Sequence, residues 1–248
     1  MEGANVLGEA LASGVPVESI YVDRAGLAGD RTAAVIEAGA ERGIRVYDLA
    51  AGVMERVAGT VTPQAALAVV PYVDVPLEAL RGADFLIVCA EVRDPGNAGT
   101  VLRSAQAAGA GGVICCDGSV DVFNPKTVRA SAGALFRVPV VSGGDAVEVL
   151  EEVGRWGLRR IGTVAHGGTD YTTVDLVASA ALVLGNEAHG LGGELSSAID
   201  SRVSIPMAPG AESLNVGMAA AVLCFEVARQ RRLGTDDGQP RSSVAGPR

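Results

Sequence analysis

Apolar and polar positions along residues 1–73 alternate in short blocks that predict helices and strands in turn. Residues 30–43 have the 3.6-residue period of an amphipathic helix and end in a glycine, as helices often do. Short runs of β-branched and apolar residues, such as 44–48, are typical of strands. We therefore expect a small α/β domain, with helices and strands at 5–12, 18–23, 30–43, 44–48, 52–59 and 65–70.

A stretch with two prolines, Pro71 and Pro76, has little periodicity and predicts a linker at 74–81. Beyond it, short and continuously apolar runs alternate with helical patterns such as those at 127–136 and 192–200. Strands that are apolar throughout and separated by helices predict a mostly parallel sheet that is buried on both faces. The sequence thus predicts an α/β fold with a larger second domain at 82–233. The polar residues 234–248, rich in Gly, Pro and Ser, are expected to be disordered.

The net charge of −9 argues at first against a nucleic-acid partner, because phosphate binding normally requires a basic surface. The distribution of charge along the chain changes this conclusion. The net charge is −6 over residues 1–90, +1 over 91–140, −7 over 141–228 and +3 over 229–248. Nineteen of the twenty basic residues are Arg, which suits forked contacts to phosphate, although a codon bias would give the same count.

Cysteine and histidine positions argue against a metal site. With His166 and His189 far apart and no CxxC spacing, the cysteines are expected to be buried free thiols. They are Cys89, Cys115, Cys116 and Cys224. No apolar run reaches the ~20 residues that cross a membrane, and the first residues lack the pattern of a secretory signal. We expect a cytoplasmic protein without a membrane partner.

Three segments combine glycines with polar side chains directly after a strand. The first places Asn97 and Gly99 at a strand-to-helix turn and Arg103 in the helix, where a basic residue could reach a phosphate near the helix N-terminus. The simpler interpretation is an ordinary turn in which Asn97 caps the helix and Arg103 is solvated. The absence of a GxGxxG pattern weakens a dinucleotide-binding interpretation.

The second segment is a buried strand that ends in Gly185, Asn186 and Glu187. Glycine permits close approach of the backbone to a ligand at the carboxyl edge of an open α/β sheet, where such folds bind ligands. His189 in the same loop has no second histidine or cysteine nearby. A hydrogen-bonded or exposed histidine is therefore favoured over a base or a metal ligand.

The third segment is a loop followed by an apolar helix that begins near Ser213 and Asn215. Ser213 is a good N-cap residue, and a cap alone does not require the asparagine. One side of the helix contains Met218 and Phe225, and another contains Leu223. A helix that is apolar on two sides is buried from two directions, so one side is expected to pack on another subunit.

In this order, the motifs "NAGTVLRSA", "LVLGNEAHGL" and "IPMAPGAESLNVGMAAAV" resemble the three motifs of the SpoU (TrmH-like) branch of the SPOUT methyltransferases. The segment "NPKTVRASAGALFRVP" is similar to the family's intervening segment. Residues 1–73, with "EGANVLGEAL", resemble the L30e-like substrate-binding domain that many members carry. Two departures are minor: Ala188 stands where a glycine is common, and Gly217 where a small polar or branched residue is frequent.

The resemblance implies transfer of a methyl group from S-adenosylmethionine to the 2′-hydroxyl of an RNA ribose, by a homodimer that forms through the C-terminal helix. Ribosomal RNA is the expected substrate, with tRNA as the alternative. The resemblance also implies a deep trefoil knot. It places the cofactor at Thr163, Gly185, Asn186, Ile205, Met207 and Leu214. The catalytic positions that it implies are Asn97, Arg103, Glu187, Ser213 and Asn215.

Methyl transfer from a sulfonium requires the attacking oxygen in line with the methyl carbon, so positioning supplies much of the acceleration. Because a guanidinium stays charged, Arg103 is expected to hold the neighbouring phosphate and stabilise negative charge rather than accept the proton. Ser213 and Asn215 are expected to orient the hydroxyl and the sulfonium, and Glu187 to order the loops. The sequence leaves two other functions open: a nucleotide-dependent enzyme on an ordinary doubly wound sheet, and a catalytically silent RNA-binding protein.

Overall fold

The N-terminal part of the chain folds around a three-stranded sheet, as the alternating pattern predicts. The computed structural model describes residues 1–26, 30–58, 62–186 and 189–235. The N-terminal elements are α1 (Ala4–Ser13), β1 (Ser19–Val22), α2 (Asp30–Glu41), β2 (Arg45–Asp48), α3 (Met54–Val57) and β3 (Ala66–Val69). Strand β1 lies in the centre, with β2 parallel and β3 antiparallel to it.

The two faces of this small sheet differ in burial. Ile20 and Val22 of β1 are fully buried and pack with apolar residues of α1 and α2. On the opposite face Tyr21 stacks on Tyr47, its partner in β2, with ring centroids 5.3 Å apart. The core of the N-terminal domain therefore lies between the sheet and helices α1 and α2.

The predicted linker is partly ordered and packs against the second domain. A 3-10 helix, Leu77–Leu80, follows Pro76, and Leu80 is only 2% exposed. The amide of Val75 donates to the carbonyl of Val140 over 2.8 Å. Residues three apart lie on one side of a 3-10 helix, so Leu77 and Leu80 both contact the apolar core beneath it.

A seven-stranded sheet follows, and its elements alternate along the chain. They are β4 (Phe85–Cys89), α4 (Pro95–Ala108), β5 (Gly112–Cys115), α5 (Pro125–Ala130), β6 (Val140–Ser142), α6 (Ala146–Arg155), β7 (Arg159–Thr163), β8 (Thr169–Asp170), β9 (Ala180–Leu184), β10 (Ser201–Ser204) and α7 (Val216–Thr235). The strand order is β6-β5-β4-β9-β7-β10-β8, and each neighbouring pair is parallel. The prediction of an α/β fold with a parallel sheet is confirmed.

Both faces of the large sheet are covered. Phe85, Ile87 and Cys89 of β4 point into a core shared with α4, α5 and α7. Leu86 and Val88 of the same strand point into a second core, shared with α6 and a 3-10 helix at Gly193–Ala198. Continuous burial of β4 and β9 explains why these strands are apolar at every position.

Several elements differ from the pattern-based expectations. The helix expected at 127–136 stops after Ala130, because Ala132 and Gly133 take positive φ angles of 48° and 88°. The short strand β8 was not predicted. Helix α7 runs through Thr235, so the first two residues of the predicted tail are helical, and residues 236–248 lie outside the described part. The trefoil knot stays a prediction.

All four cysteines are buried and free, as expected. Burial raises the pKa of both Cys116 and Cys224 to about 12. Among the described residues, no helix is long and apolar enough to cross a membrane. The same residues contain no group of three or more side chains suited to holding a metal ion.

Helices α4 and α5 approach each other at Gly99. A Cβ at this position would lie 2.4 Å from the Cβ of Ala130 and 2.9 Å from the amide nitrogen of Ser131. Ordinary carbon contacts are far longer, so only glycine fits here without backbone movement. Gly99 therefore fixes the distance between α4, which carries two candidate catalytic residues, and its neighbour.

We predict that Gly99→Ala destabilises the protein by about 1–3 kcal/mol, the usual cost of forcing an extra methyl group into a packed core. Gly8→Ala is the matched control, because its Cβ would meet nothing nearer than 3.5 Å in the middle of α1. Gly8→Ala should stabilise the protein by about 0.5–1 kcal/mol. Urea unfolding followed by circular dichroism measures both, and equal stability of the two variants would contradict the packing argument.

Candidate functional site

The carboxyl ends of the parallel strands gather at one edge of the large sheet, and a cavity of about 610 Å³ lies there. The segments after β7, β9 and β10 line it together with the first turn of α7. Eight of the eleven predicted site residues line this cavity: Thr163, Gly185, Asn186, Ile205, Met207, Ser213, Leu214 and Asn215. Strands whose ends are far apart in sequence thus bring the second and third motifs together, as parallel topology predicts.

Asn215 caps the N-terminus of α7. Its Oδ1 accepts hydrogen bonds from the amides of Gly217 at 2.9 Å and Met218 at 3.3 Å. These are the second and third residues of a helix that begins at Val216, so Asn215 occupies the N-cap position. The assignment of the cap to Ser213 is therefore wrong, because the helix starts two residues later than that assignment requires.

The same carboxamide joins the first and third motifs. Nδ2 of Asn215 donates to Oδ1 of Asn97 over 2.7 Å, although the two residues are 118 positions apart. Asn97 is 8% exposed and lies in the first turn of α4. Its own amide donates to Oδ1 of Asp94 at 2.8 Å. The N-cap of α4 is thus Asp94 and not Asn97, which leaves the Asn97 side chain to face α7.

Gly185 has a different reason for being glycine from the one expected. A Cβ there would lie 2.5 Å from the backbone of Gly190. The loop returns on itself through two backbone hydrogen bonds between Asn186 and Gly190, of 3.1 and 2.8 Å. The missing side chain therefore makes room for the loop's own return, while Gly185 also lines the cavity.

Asn186 organises the second motif. Its Oδ1 accepts from the amide of His189 at 3.1 Å and lies 3.2 Å from the Nδ1 of that ring. Its Nδ2 points to the carbonyl of Glu91 at 3.5 Å, beyond the end of β4. Glu91 has a φ of 64°, which is uncommon for a residue with a side chain. The expectation that His189 is a hydrogen-bonded, exposed residue is confirmed.

The remaining cavity residues are mostly apolar. Thr163 directs its hydroxyl to the carbonyl of Val183 at 3.1 Å, which fixes β7 to β9 at this edge. Leu214 is 40% exposed, and its amide donates to no other described residue. Among the described lining residues, none is Asp, Glu, Lys or Arg, and His189 is the one titratable imidazole.

Arg103 stands apart from the cavity. It is exposed on the outer face of α4, and within the described ranges it forms no hydrogen bond or ion pair. One helical turn earlier, Thr100 lies against Gly217, whose added Cβ would be 3.0 Å from the Cβ of Thr100. Arg103 therefore lies one helical turn beyond the contact with α7 and does not line the cavity with Ser213 and Asn215. Glu187 and Ala188 lie outside the described residues.

Two family models match the chain and together cover most of it. Residues 84–225 match the SpoU rRNA methylase family, and residues 1–74 match a domain described as RNA 2′-O ribose methyltransferase substrate binding. The chain belongs to the SpoU rRNA methylase family. The two matches correspond to the two sheets of the structure.

Named SpoU relatives agree with this assignment. The 23S rRNA (guanosine(2553)-2′-O)-methyltransferase RlmP of Bacillus subtilis is 34% identical over 228 residues, which are 92% of this chain and 87% of that protein. The SpoU methyltransferase AviRb from Streptomyces viridochromogenes, solved with AdoMet, superposes with a TM-score of 0.80 at 29% identity. That match covers 94% of this chain and 90% of AviRb. An AdoMet-bound rRNA methyltransferase from Sinorhizobium meliloti gives a TM-score of 0.74 at 29% identity, with coverages of 92% and 86%.

Two contributors to the candidate site were missed from the sequence. Asp94 precedes Pro95, and a proline in the first helical position directly after an Asp is a usable N-cap signal. Glu91 gave no such signal, since its contact with Asn186 depends on two strands, β4 and β9, that are adjacent only in the folded sheet.

Substitutions at the N-terminus of α7 should show whether Asn215 or Ser213 caps the helix. Asn215→Ala is expected to destabilise the protein by about 1 kcal/mol, the usual cost of losing an N-cap side chain. Ser213→Ala should leave stability unchanged, and Asn215→Asp should keep most of it, because aspartate is also a good cap. Urea unfolding midpoints by circular dichroism check this, and a larger loss for Ser213→Ala would restore the serine as the cap.

Proposed function

We propose that this chain, an RNA 2′-O-ribose methyltransferase by family, binds S-adenosylmethionine in the cavity at the carboxyl edge and methylates a ribose of ribosomal RNA. One observation carries the proposal. Residues from two separate motifs line a single cavity, and the Asn215–Asn97 hydrogen bond attaches the remaining motif to it.

The cavity suits the proposed cofactor in size and chemistry. Its volume of about 610 Å³ falls within the range of about 300–1,000 Å³ that is typical of small-molecule sites. Ile205, Met207 and Leu214 offer apolar surface to a purine ring. A sulfonium is positively charged, and the described lining brings no Lys or Arg against it.

When bound, S-adenosylmethionine supplies an electrophilic methyl group. The residues of this chain position the acceptor. Asn97 and Asn215 are held in fixed orientations by their shared hydrogen bond and by the helix cap, so both side chains are oriented before substrate arrives. Ser213, at the rim of the same cavity, adds a hydroxyl that can both donate and accept.

Arg103 acts on charge and not on the proton. A guanidinium does not deprotonate in proteins, so its part is to bind the neighbouring phosphate and stabilise the oxygen as it becomes negative. A phosphate oxygen or water accepts the proton. We assign Glu187 the ordering of the surrounding loops, on the family resemblance alone.

We further propose that a homodimer forms through α7. Met218, Val222 and Phe225 share one face of the helix, at spacings of four and three residues, and are 62%, 36% and 49% exposed. The opposite side, with Leu223 and Val227, is fully buried in the domain core. Apolar side chains at this density on one helix face are typical of a subunit contact. The position of Arg103, outside the cavity of its own subunit, then suits a site completed across the dimer.

We expect Arg103→Ala to lower methyl transfer to RNA by a factor of about 10²–10³, the usual cost of removing one charge-stabilising group. Calorimetry should show unchanged S-adenosylmethionine affinity, because Arg103 does not line the cavity. Arg155→Ala is the matched control, since Arg155 is a surface arginine whose side chain is 65% exposed. An Arg103→Ala enzyme of wild-type activity would overturn the assigned role.

Phe225→Asp should convert the dimer into monomers, because burying an unpaired charge in an apolar interface is costly. Light scattering measures the mass, and methyl transfer should fall with it. Val57→Asp, which places the same charge on an exposed valine of the N-terminal domain, should change neither. A monomeric wild-type protein would refute this assembly.

The choice of ribosomal RNA over tRNA follows the relatives' names. RlmP acts on 23S rRNA by its name, and the structural relative from Sinorhizobium meliloti is named an rRNA methyltransferase. Transfer of a tritiated methyl group to separated rRNA and tRNA fractions decides between the two.

A further inference from the structure

Tyr72 is the most exposed large apolar side chain in the described part of the protein, at 77%. Its ring lies tilted against that of Phe123, with centroids 4.6 Å apart. Tyr72 belongs to the end of the substrate-binding domain and Phe123 to the methylase domain. The chain has only nine Phe, Trp and Tyr residues, and two of them meet at this one solvent-facing contact between the domains.

A cavity of about 220 Å³ opens beside this aromatic pair. We call it the junction pocket; its walls include Pro71, Tyr72, Phe123, Pro125 and Phe136, together with Arg129 and its acidic partner Glu2. It is smaller than the roughly 300 Å³ at which drug-sized sites begin, so it suits a single planar ring system. Rings and prolines give it flat apolar walls.

Two basic residues lie on α5, which lines the junction pocket through Pro125 and Arg129. Lys126, the one lysine of the chain, is exposed in the first turn of α5, three residues from Phe123. The Arg129 side chain is 31% exposed and lies 4.0 Å from the carboxylate of the buried Glu2, which keeps it beside the pocket. The nearby carboxylate of Asp121 already accepts the amide of Phe123 at 2.8 Å.

The junction pocket is connected to the candidate active site by hydrogen-bonded loops. The amide of Val120, three residues before Phe123, donates to the carbonyl of Val92 at 2.9 Å. In return, the amide of Val92 donates to the hydroxyl of Ser119 at 3.2 Å. Val92 lies in the loop that leads from β4 to Asn97, so the loop that carries Phe123 is bonded to the loop that carries the first motif.

We propose that the junction pocket binds an unpaired base of the RNA substrate, stacked on Tyr72, while Lys126 and Arg129 contact its phosphates. Aromatic rings stack with any base, and basic groups beside them hold the backbone, which is how proteins bind single-stranded nucleic acid. The proposal rests on the proposed function in that the ligand is the RNA substrate. It adds a contact outside the cofactor cavity.

Fluorescence anisotropy of the full-length protein, without cofactor, tests it. The probes are a labelled, unstructured RNA of about twelve nucleotides and the same RNA annealed to its complement. Tyr72→Ala should weaken binding of the single strand about tenfold, the loss expected from one stacked base. Binding of the duplex should not change. Tyr72→Phe keeps the ring and should bind the single strand as the wild type does.

Two further variants complete the test. Lys126→Ala should lower the slope of log affinity against log salt by about one, because one phosphate contact is lost. Tyr47→Ala removes another exposed ring, 43% accessible on the N-terminal sheet, and should leave single-strand binding unchanged. Circular dichroism confirms that each variant is folded.

The proposal is overturned if Tyr72→Ala binds the single strand like the wild type, if Tyr47→Ala weakens it equally, or if the wild type binds neither RNA. A change of molecular mass in Tyr72→Ala would also overturn it, since the ring would then belong to a protein contact. These outcomes are independent of the proposed activity, which calorimetry with S-adenosylmethionine and the Arg103→Ala assay test separately.

Discussion

The carboxamide of Asn215 holds together the two helices on which the site depends. Its oxygen accepts two amides at the start of α7, and its nitrogen donates to Asn97 at the start of α4. A carboxamide can do both because it carries an acceptor and a donor on one rigid plane. Serine, threonine or aspartate at this position would cap the helix but would lack the amide donor that reaches Asn97. The helix cap and the candidate catalytic geometry are thus one structural unit.

In the proposed site, the charged group and the cofactor-binding residues are in separate places. The described lining of the cavity contains no Asp, Glu, Lys or Arg, which favours a cationic sulfonium over a phosphate-bearing ligand. The guanidinium of Arg103 stands outside it, on the exposed side of α4. In the proposed dimer, Arg103 of one subunit would lie beside the cavity of the other. An isolated subunit would then bind the cofactor without being able to use it.

Pattern alone predicted the alternating α/β order and the parallel sheet, because continuously apolar strands such as β4 and β9 are characteristic of burial on both faces. The positions of the helix starts were harder. Ser213 and Asn97 both looked like caps, and only the backbone geometry shows that the helices begin beside Asn215 and Asp94. Contacts between distant strands were beyond any local pattern: Glu91 approaches Asn186 because β9 pairs with β4 across 95 positions of sequence. Gly185 was assigned to the site from the sequence. The steric reason for a glycine there is the close approach of Gly190 in the same loop, which only the folded structure shows.

The ordering of the segment between the domains has a further consequence. Leu80 is buried under the sheet and Val75 is bonded to its edge strand, so the tether that can move freely is shorter than the Pro-containing stretch suggests. Two ion pairs, Arg129 with Glu2 and Arg137 with Glu9, also span the domains. A short tether between two binding modules raises the effective concentration of one near the other to about the millimolar range. An RNA captured weakly by the N-terminal domain would therefore meet the methylase domain as a nearly intramolecular partner, and modest affinity in each module would suffice for productive encounters.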